Sequence, residues 1–387
     1  MNNEAKHLEN YEKLKRLMSA PVKPVAAFIG AGASIPLGIP GWKKLLKDLV
    51  KEFKVEIDVD KTIEEKGFPK TASIIYDAYT GENKNEKYNN FLASKFIPSK
   101  TTNTGLHTKI ISNFKIILTT NYDTSIETTY SDINFINKLN KINSINLSIQ
   151  KFPGFNISAI SPGPTLIYLH GNNDEKKYVL REEEYKYAYP GFYELDGSSP
   201  LETLLSIMLK DYNLVFIGFS FTDRVVAHYL QKAALDFNLQ KQRHESTYPG
   251  DKYPNTFPPH FAILKEKRKL NLGPQNLEAF QILKNKNIIT SDGFVDYEEF
   301  KKINDKAKFF DELFKNVALS VKTEKILEKL LECQVNTEKI EELEKTGLNF
   351  LFYKDEHIEI EHILEDLHSN QVNHIKPGEE ALNAPTN

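Results

Sequence analysis

The stretch from Val25 to Phe53 constrains the fold more than any other part of this 387-residue chain. An apolar run at residues 25–29 leads into the turn Gly30-Ala31-Gly32-Ala33-Ser34, and apolar residues recur at helical intervals from Trp42 onward. Glycine has no Cβ, so a turn of this composition lets backbone N–H groups approach a diphosphate closely. The order of strand, glycine turn and helix predicts the first crossover of a nucleotide-binding α/β fold.

The glycine turn taken alone leaves two interpretations open. A dehydrogenase fingerprint has a third glycine where Ile35 stands in this chain, and no acidic residue clearly ends a second strand about 20 residues further on. The turn is therefore as compatible with a purely structural role as with a phosphate-binding role.

Composition excludes several classes of protein. A formal charge of −3 provides no overall attraction to nucleic acid, so direct nucleic-acid binding is not expected. A single cysteine, Cys333, excludes an intramolecular disulfide and a zinc site built from several cysteines. The first residues lack the basic-then-apolar order of a signal peptide, and no apolar run approaches the ~18 residues that span a bilayer. We therefore expect a cytoplasmic protein.

Short, continuously apolar runs alternate with helical segments along the chain. This pattern is typical of a parallel sheet that helices cover on both faces. It predicts an α/β, Rossmann-like, doubly wound domain at 21–315, after an N-terminal helix at 1–20 and before a helical C-terminal region at 316–387 with a frayed tail. The predicted strands are 25–29, 116–119, 166–169, 214–217, 261–264 and 287–290, with a connecting strand between 131 and 164.

Two segments depart from the alternation of strands and helices. Residues 54–100 predict helices and loops without a central strand, and an insertion at this point would lie beside the glycine turn. Residues 238–258 are polar and carry three prolines and a glycine, which predicts a long surface loop. Both segments, together with the helical C-terminal region at 316–387, are candidates for restraint or assembly because of their position.

Four of the predicted strands end in glycine or polar motifs. Ligands collect at the carboxyl ends of the strands in an open parallel sheet, so these motifs are expected to converge on one edge. Each motif also has a simpler interpretation as a helix cap or a turn, and the convergence is what favours a site. The motifs are Gly30-Ala31-Gly32-Ala33-Ser34, Thr119-Thr120-Asn121-Tyr122-Asp123, Leu169-His170-Gly171 and Gly218-Phe219-Ser220-Phe221-Thr222-Asp223.

Together the four motifs resemble the sirtuin-like (silent information regulator 2-like) domains of bacterial proteins, especially the NAD-hydrolysing effectors of anti-phage defence. The resemblance covers about residues 25–315 and implies a Rossmann-like NAD-binding catalytic domain. It implies that Asn121 and His170 form the catalytic pair. Its implied cofactor-binding residues are Gly30, Ala31, Gly32, Ala33 and Ser34 near the phosphates, with Asp123, Gly218 and Ser220 further along the dinucleotide; Asp223 is explained by helix capping.

One departure from the family distinguishes between its activities. Sirtuin deacylases carry a four-cysteine zinc ribbon, which a chain with one cysteine cannot form. The resemblance therefore implies an NAD+ glycohydrolase that takes NAD+ as substrate, uses no metal and depletes NAD in anti-phage defence. It further implies a regulated homo-oligomer that works with a separate ATPase or sensor protein, away from membranes. The alternatives are a deacylase or ADP-ribosyltransferase of the same fold, and a catalytically silent nucleotide-binding scaffold.

Overall fold

The computed structural model describes residues 3–98, 105–140, 146–156, 163–253, 256–291, 293–315, 317, 319, 322–353 and 358–374. The chain divides into two compact units. The first comprises Met1–Leu264 together with Gly347–Asn387, and the second comprises Lys265–Thr346. Every residue of the four sequence motifs belongs to the first unit.

The strands and helices have the following bounds. The strands are β1 Val25–Ile29, β2 Ile116–Thr119, β3 Ser148–Lys151, β4 Thr165–Tyr168, β5 Asn213–Ile217, β6 His260–Lys265 and β7 Leu348–Tyr353. The helices are α1 Asn3–Ser19, α2 Trp42–Phe53, α3 Val59–Lys66, α4 Phe68–Ala78, α5 Lys84–Lys95, α6 Gly105–Asn113, α7 Ser125–Leu139, α8 Glu182–Ala188, α9 Pro200–Asp211, α10 Arg224–Thr247, α11 Leu277–Asn285, α12 Tyr297–Lys301, α13 Lys306–Leu313, α14 Thr323–Glu344 and α15 Ile358–His374.

The strands form one seven-stranded sheet in the order β3-β4-β2-β1-β5-β6-β7. The five pairings from β3 through β6 are parallel. The predicted α/β, Rossmann-like, doubly wound fold is therefore confirmed. Since β1 pairs with β2 on one side and with β5 on the other, the chain reverses direction across the sheet beside β1. Such a reversal is where open α/β sheets bind ligands.

The register of the sheet aligns the ends of its central strands. Ile29 of β1 pairs with Thr119 of β2 and with Ile217 of β5, and Thr119 pairs with Tyr168 of β4. These four residues form one row across the sheet. Each of the four sequence motifs begins at or directly after this row, so the predicted convergence on one edge is confirmed.

Helices cover the sheet on the face to which Ala27, Ile29, Val215 and Ile217 point. These residues share a buried cluster with side chains of α1, α6, α7 and α15. These four residues are fully buried, as expected for parallel strands covered by helices. On α9, Leu204 and Leu205 are buried, and the helix packs on β5.

The segment from α2 to α5 forms a helical layer with its own core. On α2 the buried residues Leu45, Leu46, Leu49 and Phe53 recur at helical spacing, so one face of the helix is apolar. They cluster with residues of α3, α4 and α5 and with Tyr122 from the loop after β2. The absence of a strand over 54–98 is as predicted, and this layer contacts the predicted site through Tyr122.

Three predicted elements differ from the structure. Residues 287–290 form no strand of the sheet and make only an isolated bridge from Ile289 to Val295 within the second unit. The seventh strand is β7, an apolar and aromatic run inside the region that we predicted to be helical. Helix α10 extends to Thr247, where a loop was predicted from 238, because the prolines that break it begin only at Pro249.

The second unit is a helical body around its own buried cluster, which includes Leu283, Phe300, Phe310, Ile326 and Leu330. The two compact units do not test the predicted segments 1–20, 21–315 and 316–387. Because a compact unit is defined by packing and not by activity, the catalytic domain at 21–315 stays a prediction.

The predicted frayed tail at 375–387 lies outside the described residues. None of the described helices is both long and apolar enough to cross a membrane.

Candidate active site

The glycine turn after β1 lies directly against the turn after β5. The N–H of Gly30 donates to the carbonyl of Ile217 over 3.0 Å, and the N–H of Gly32 donates to the carbonyl of Gly218 over 2.8 Å. A Cβ on Gly30 would lie 2.7 Å from the Gly218 oxygen, so a side chain there would force the turns apart. The glycines are therefore needed for the contact between two turns. Both N–H groups therefore have acceptors within the protein, and the predicted place of Gly30 and Gly32 beside a diphosphate stays a prediction.

Ala31 and Ala33 of the same turn differ in burial and in the use of their backbone N–H groups. Ala33 is buried and its N–H donates to the carbonyl of Gly30. Ala31 is half-buried, and its N–H has no acceptor among the described residues. Ala31 is therefore the residue of this turn whose amide remains available for an anion.

The side-chain amide of Asn121 is held in one orientation by the glycine turn. Its Nδ2 donates to the carbonyl of Gly30 over 3.1 Å and to Oγ of Ser34 over 3.0 Å. Because a backbone carbonyl only accepts, this contact requires the nitrogen to face the turn. The backbone N–H of Asn121 donates to Oγ1 of Thr119.

The oxygen of the same amide differs from the nitrogen in its contacts. Oδ1 of Asn121 is buried and accepts no hydrogen bond among the described residues. Both donors of the amide are in use, so Oδ1 is its one remaining polar group. Buried acceptors in folded proteins are normally satisfied, so this oxygen marks a place that water or a ligand hydroxyl can fill.

His170 lies at the same edge on the neighbouring strand. Asn121 follows Thr119 by two residues and His170 follows Tyr168 by two residues, and Thr119 and Tyr168 are paired. The imidazole is 1% exposed, and its Nε2 lies 2.6 Å from the hydroxyl of Tyr189. Burial lowers the pKa of His170 to about 3, so the ring is neutral near pH 7.

Two tyrosines cover His170. Tyr185 lies on α8 and Tyr189 directly after it, and their ring centroids are 5.3 and 5.8 Å from that of His170, both edge-on. The hydroxyl of Tyr185 donates to Oδ2 of Asp223 over 2.9 Å. Asp223 also caps α10 by accepting from the N–H of Val225. Sequence reasoning did not identify these tyrosines. They are four residues apart in the segment that follows the His-Gly motif, and this spacing would have placed them on one helix face.

Asp123 acts mainly within its own segment. Its Oδ1 accepts from the N–H and the hydroxyl of Ser125 at the start of α7, which is a capping arrangement. Its Oδ2 is buried without a partner among the described residues. His107 of α6 is buried nearby, where desolvation lowers its pKa and the charge of Asp123 opposes that shift. A role along the dinucleotide stays a prediction for Asp123.

The turn after β5 supplies the last two predicted residues. Gly218 adopts a φ of +65°, and its carbonyl receives the N–H of Gly32. Ser220 is exposed and its hydroxyl lies 2.8 Å from that of Thr222. The structure therefore brings the glycine turn, Asn121 and Gly218 into contact, with His170 on the adjoining strand end and Ser220 at the exposed rim.

The described residues contain no group of three or more His, Cys, Asp or Glu side chains that could hold a metal ion. A cavity of about 500 Å³ lies elsewhere, within the second unit, and its lining includes Lys286, Glu299, Lys302 and Asp305. None of the predicted site residues lines it. At the strand ends, the structure shows a fixed amide oxygen on Asn121 and a neutral imidazole on His170.

Two comparisons with known proteins bear on this arrangement. The SIR2-like domain family matches residues 115–291, a range that includes Asn121, His170 and Gly218 but not the glycine turn. Over 230 residues the chain is 25% identical to the NAD(+) hydrolase ThsA of Acinetobacter baumannii (strain 532279). That alignment covers 57% of this chain and 41% of the relative, so the chain matches less than half of the relative's length.

Proposed function

Because this chain carries a SIR2-like domain, we propose that it is an NAD+ hydrolase that cleaves NAD+ into nicotinamide and ADP-ribose. The observation that carries the proposal is the Asn121 amide. Its nitrogen is fixed by the glycine turn, and its buried oxygen, one strand away from His170, accepts no hydrogen bond from the part of the chain that the structure describes. The printed name of the relative, an NAD(+) hydrolase, supports the same substrate.

The reaction requires little from the protein beyond positioning and a proton acceptor. The bond between nicotinamide and C1′ of ribose is already activated, because the pyridine is cationic in NAD+ and leaves as a neutral molecule. As the bond breaks, positive charge develops on the ribose as in other glycoside cleavages. The attacking water or hydroxyl must then be held on the opposite face and lose a proton. Neither a general acid for the leaving group nor a metal is needed.

Asn121 and His170 would supply these two functions. Oδ1 of Asn121 is a hydrogen-bond acceptor of fixed direction, which suits the orientation of an attacking water or of a ribose hydroxyl. A neutral His170 would accept the proton from that group as general base. The tie from Nδ2 to Ser34 and Gly30 would keep the amide from rotating during the reaction.

The remaining predicted residues would hold the rest of the substrate. In this proposal the half-buried N–H of Ala31 faces the diphosphate, while Gly30, Gly32, Ala33 and Ser34 shape the turn around it. Gly218, Ser220 and Asp123 would lie further along the dinucleotide. We propose this assignment on the family resemblance together with the convergence of the motifs at the reversal point beside β1.

We also propose the cellular role that the resemblance implies. The protein would be a regulated effector that depletes NAD in anti-phage defence, as a homo-oligomer with a separate ATPase or sensor protein. Unrestrained NAD+ hydrolysis is toxic to the cell that contains it, so an activity of this kind requires a restrained state.

Two variants test the mechanism. His170→Ala should lower nicotinamide release by at least about 100-fold, the usual contribution of a general base. Asn121→Ala should lower it by a similar factor because the nucleophile loses its orientation. His228→Ala is the control, since its ring contacts are with Phe192 and Tyr229. Wild-type release by a folded His170→Ala or Asn121→Ala protein would remove that residue from the mechanism. Release that depends on an acylated peptide would instead indicate a deacylase.

A further inference from the structure

The contact between Tyr189 and His170 has one possible donor that leaves the buried tyrosine proton with an acceptor. Nε2 of His170 is the only partner of the Tyr189 hydroxyl among the described residues. If Nε2 carried a hydrogen and donated it, the tyrosine proton would be left without an acceptor in a fully buried place. Burial also raises the pKa of Tyr189 well above its ordinary value, so the hydroxyl keeps its proton. The hydroxyl therefore donates to Nε2, and the imidazole carries its hydrogen on Nδ1.

This assignment leaves His170 unable to act as a base. A neutral imidazole has one nitrogen lone pair that can take a proton. In the described structure that lone pair, on Nε2, already accepts from Tyr189. The proton acceptor required for hydrolysis is therefore blocked as long as Tyr189 stays in place.

Two tyrosine rings also cover the imidazole of His170. Tyr185 and Tyr189 are separated by four residues, so they extend from the same side of α8 and its C-terminal end. Both rings meet His170 edge-on, and all three side chains are at most 1% exposed. On the other side, Tyr185 lies 6.2 Å from the ring of Trp42 and is bonded to Asp223 at the start of α10. With 1% of its surface exposed, His170 cannot contact a nicotinamide riboside in this arrangement.

We propose that α8, with Tyr189 at its end, is a cover that keeps His170 inactive, and that the Tyr189–His170 and Tyr185–Asp223 hydrogen bonds hold it closed. The inference rests on the proposed function of His170 as general base and adds a means of restraint to it. Opening frees Nε2 and admits the substrate in the same movement. Residues 182–189 are thus the place at which an activating signal would act.

The variant Tyr189→Phe tests the cover with a readout that does not depend on activity. It keeps the ring and removes only the hydroxyl, which leaves a buried acceptor unsatisfied in the closed state and favours opening by about 5- to 100-fold. Exchange of the carbon-bound Cε1 hydrogen of His170 for deuterium, measured by mass spectrometry, should accelerate by that factor. His260, which is fully buried in β6, is the internal reference and should not change.

A matched control removes a different buried hydroxyl. Tyr178→Phe deletes the hydrogen bond from the buried Tyr178 hydroxyl to Asn173 and should leave His170 exchange at its wild-type rate. If Tyr189→Phe does not fold, Tyr185→Phe replaces it, because loss of the bond to Asp223 should also open the cover. Unchanged His170 exchange in either folded variant overturns the proposal.

Nicotinamide release separates the cover from the proposed activity. With NAD+ alone, Tyr189→Phe should release nicotinamide faster than the wild type by a factor similar to that for exchange. Slower release by the folded variant would show that the hydroxyl serves catalysis, and this result would refute the proposed cover. Accelerated exchange with no release from either protein would support the cover and refute NAD+ hydrolysis.

Discussion

Gly218 is the position where the contact between the two turns is most sensitive to substitution. Its φ of +65° lies in the left-handed region, and a Cβ there would lie 2.3 Å from the backbone nitrogen of Ala33. Because the obstructing atoms belong to the backbone, they cannot rotate away. Gly250 provides the matched control, since its φ is +96° and a Cβ there would meet no heavy atom within 4 Å.

Gly218→Ala and Gly250→Ala should differ in their free energy of unfolding by the energy of the steric overlap at residue 218. Placing alanine in the left-handed region costs about 1–2 kcal/mol, which Gly250→Ala should show alone. Overpacking adds about 1–3 kcal/mol, so Gly218→Ala should lower the free energy of unfolding by about 2–5 kcal/mol. Moving the glycine turn also moves the groups that hold Asn121. A displacement of about 1 Å would reduce nicotinamide release by about 100-fold.

Urea unfolding followed by tryptophan fluorescence measures this difference. Trp42 is the only tryptophan and lies near Phe68 and Tyr185 in the first unit, so its emission reports that unit. With a slope of about 3 kcal/mol per M, the midpoint of Gly218→Ala should fall about 0.3–1 M below that of Gly250→Ala. Equal midpoints would refute the packing argument. A destabilised Gly218→Ala protein that releases nicotinamide at the wild-type rate would refute the link from this turn to Asn121.

Two further predictions concern the amide and the response to acid. Ser34→Ala removes one of the two acceptors of the Asn121 nitrogen, so kcat should fall about 10-fold at constant KM; steady-state kinetics check this, and a rise in KM alone would contradict it. Burial lowers the pKa of His260 to about 4, so the folded chain binds fewer protons than the unfolded chain below its ordinary pKa of about 6.5. This histidine should therefore make the fold about 2 kcal/mol less stable at pH 5 than at pH 7. Urea unfolding at both pH values should show a smaller loss for His260→Gln, and an equal loss would contradict the assignment.

Much of the fold follows from local sequence pattern. Strand β1 is continuously apolar, β5 is apolar from Leu214 onward, and a glycine directly follows each, so their position and parallel orientation could be predicted. Strand β7 could not be placed because it follows the long charged helix α14, and nothing local indicates that the chain returns to the sheet. The end of α10 was missed because its last eight residues, Gln240 to Thr247, are polar on every side, which resembles a loop in composition.

The site could be predicted in part for a similar reason. The register of a parallel sheet brings strand ends together, so residues such as Asn121 and His170 could be assigned to one edge from their positions after strands. Their partners could not be predicted, because the Asn121–Ser34 and His170–Tyr189 bonds depend on the packing of turns and helices. The use of the Gly30 and Gly32 amides between turns was missed for the same reason.

In the proposed mechanism, a fixed Asn121 oxygen and His170 act together on NAD+. The most direct measurement is to incubate the purified wild type and Tyr189→Phe with NAD+ and identify the products by mass, with Asn121→Ala introduced into each. Nicotinamide and ADP-ribose should form in equal amounts, faster with Tyr189→Phe, and should disappear with Asn121→Ala. The absence of nicotinamide from both proteins, or its undiminished release after Asn121→Ala, would contradict the claim.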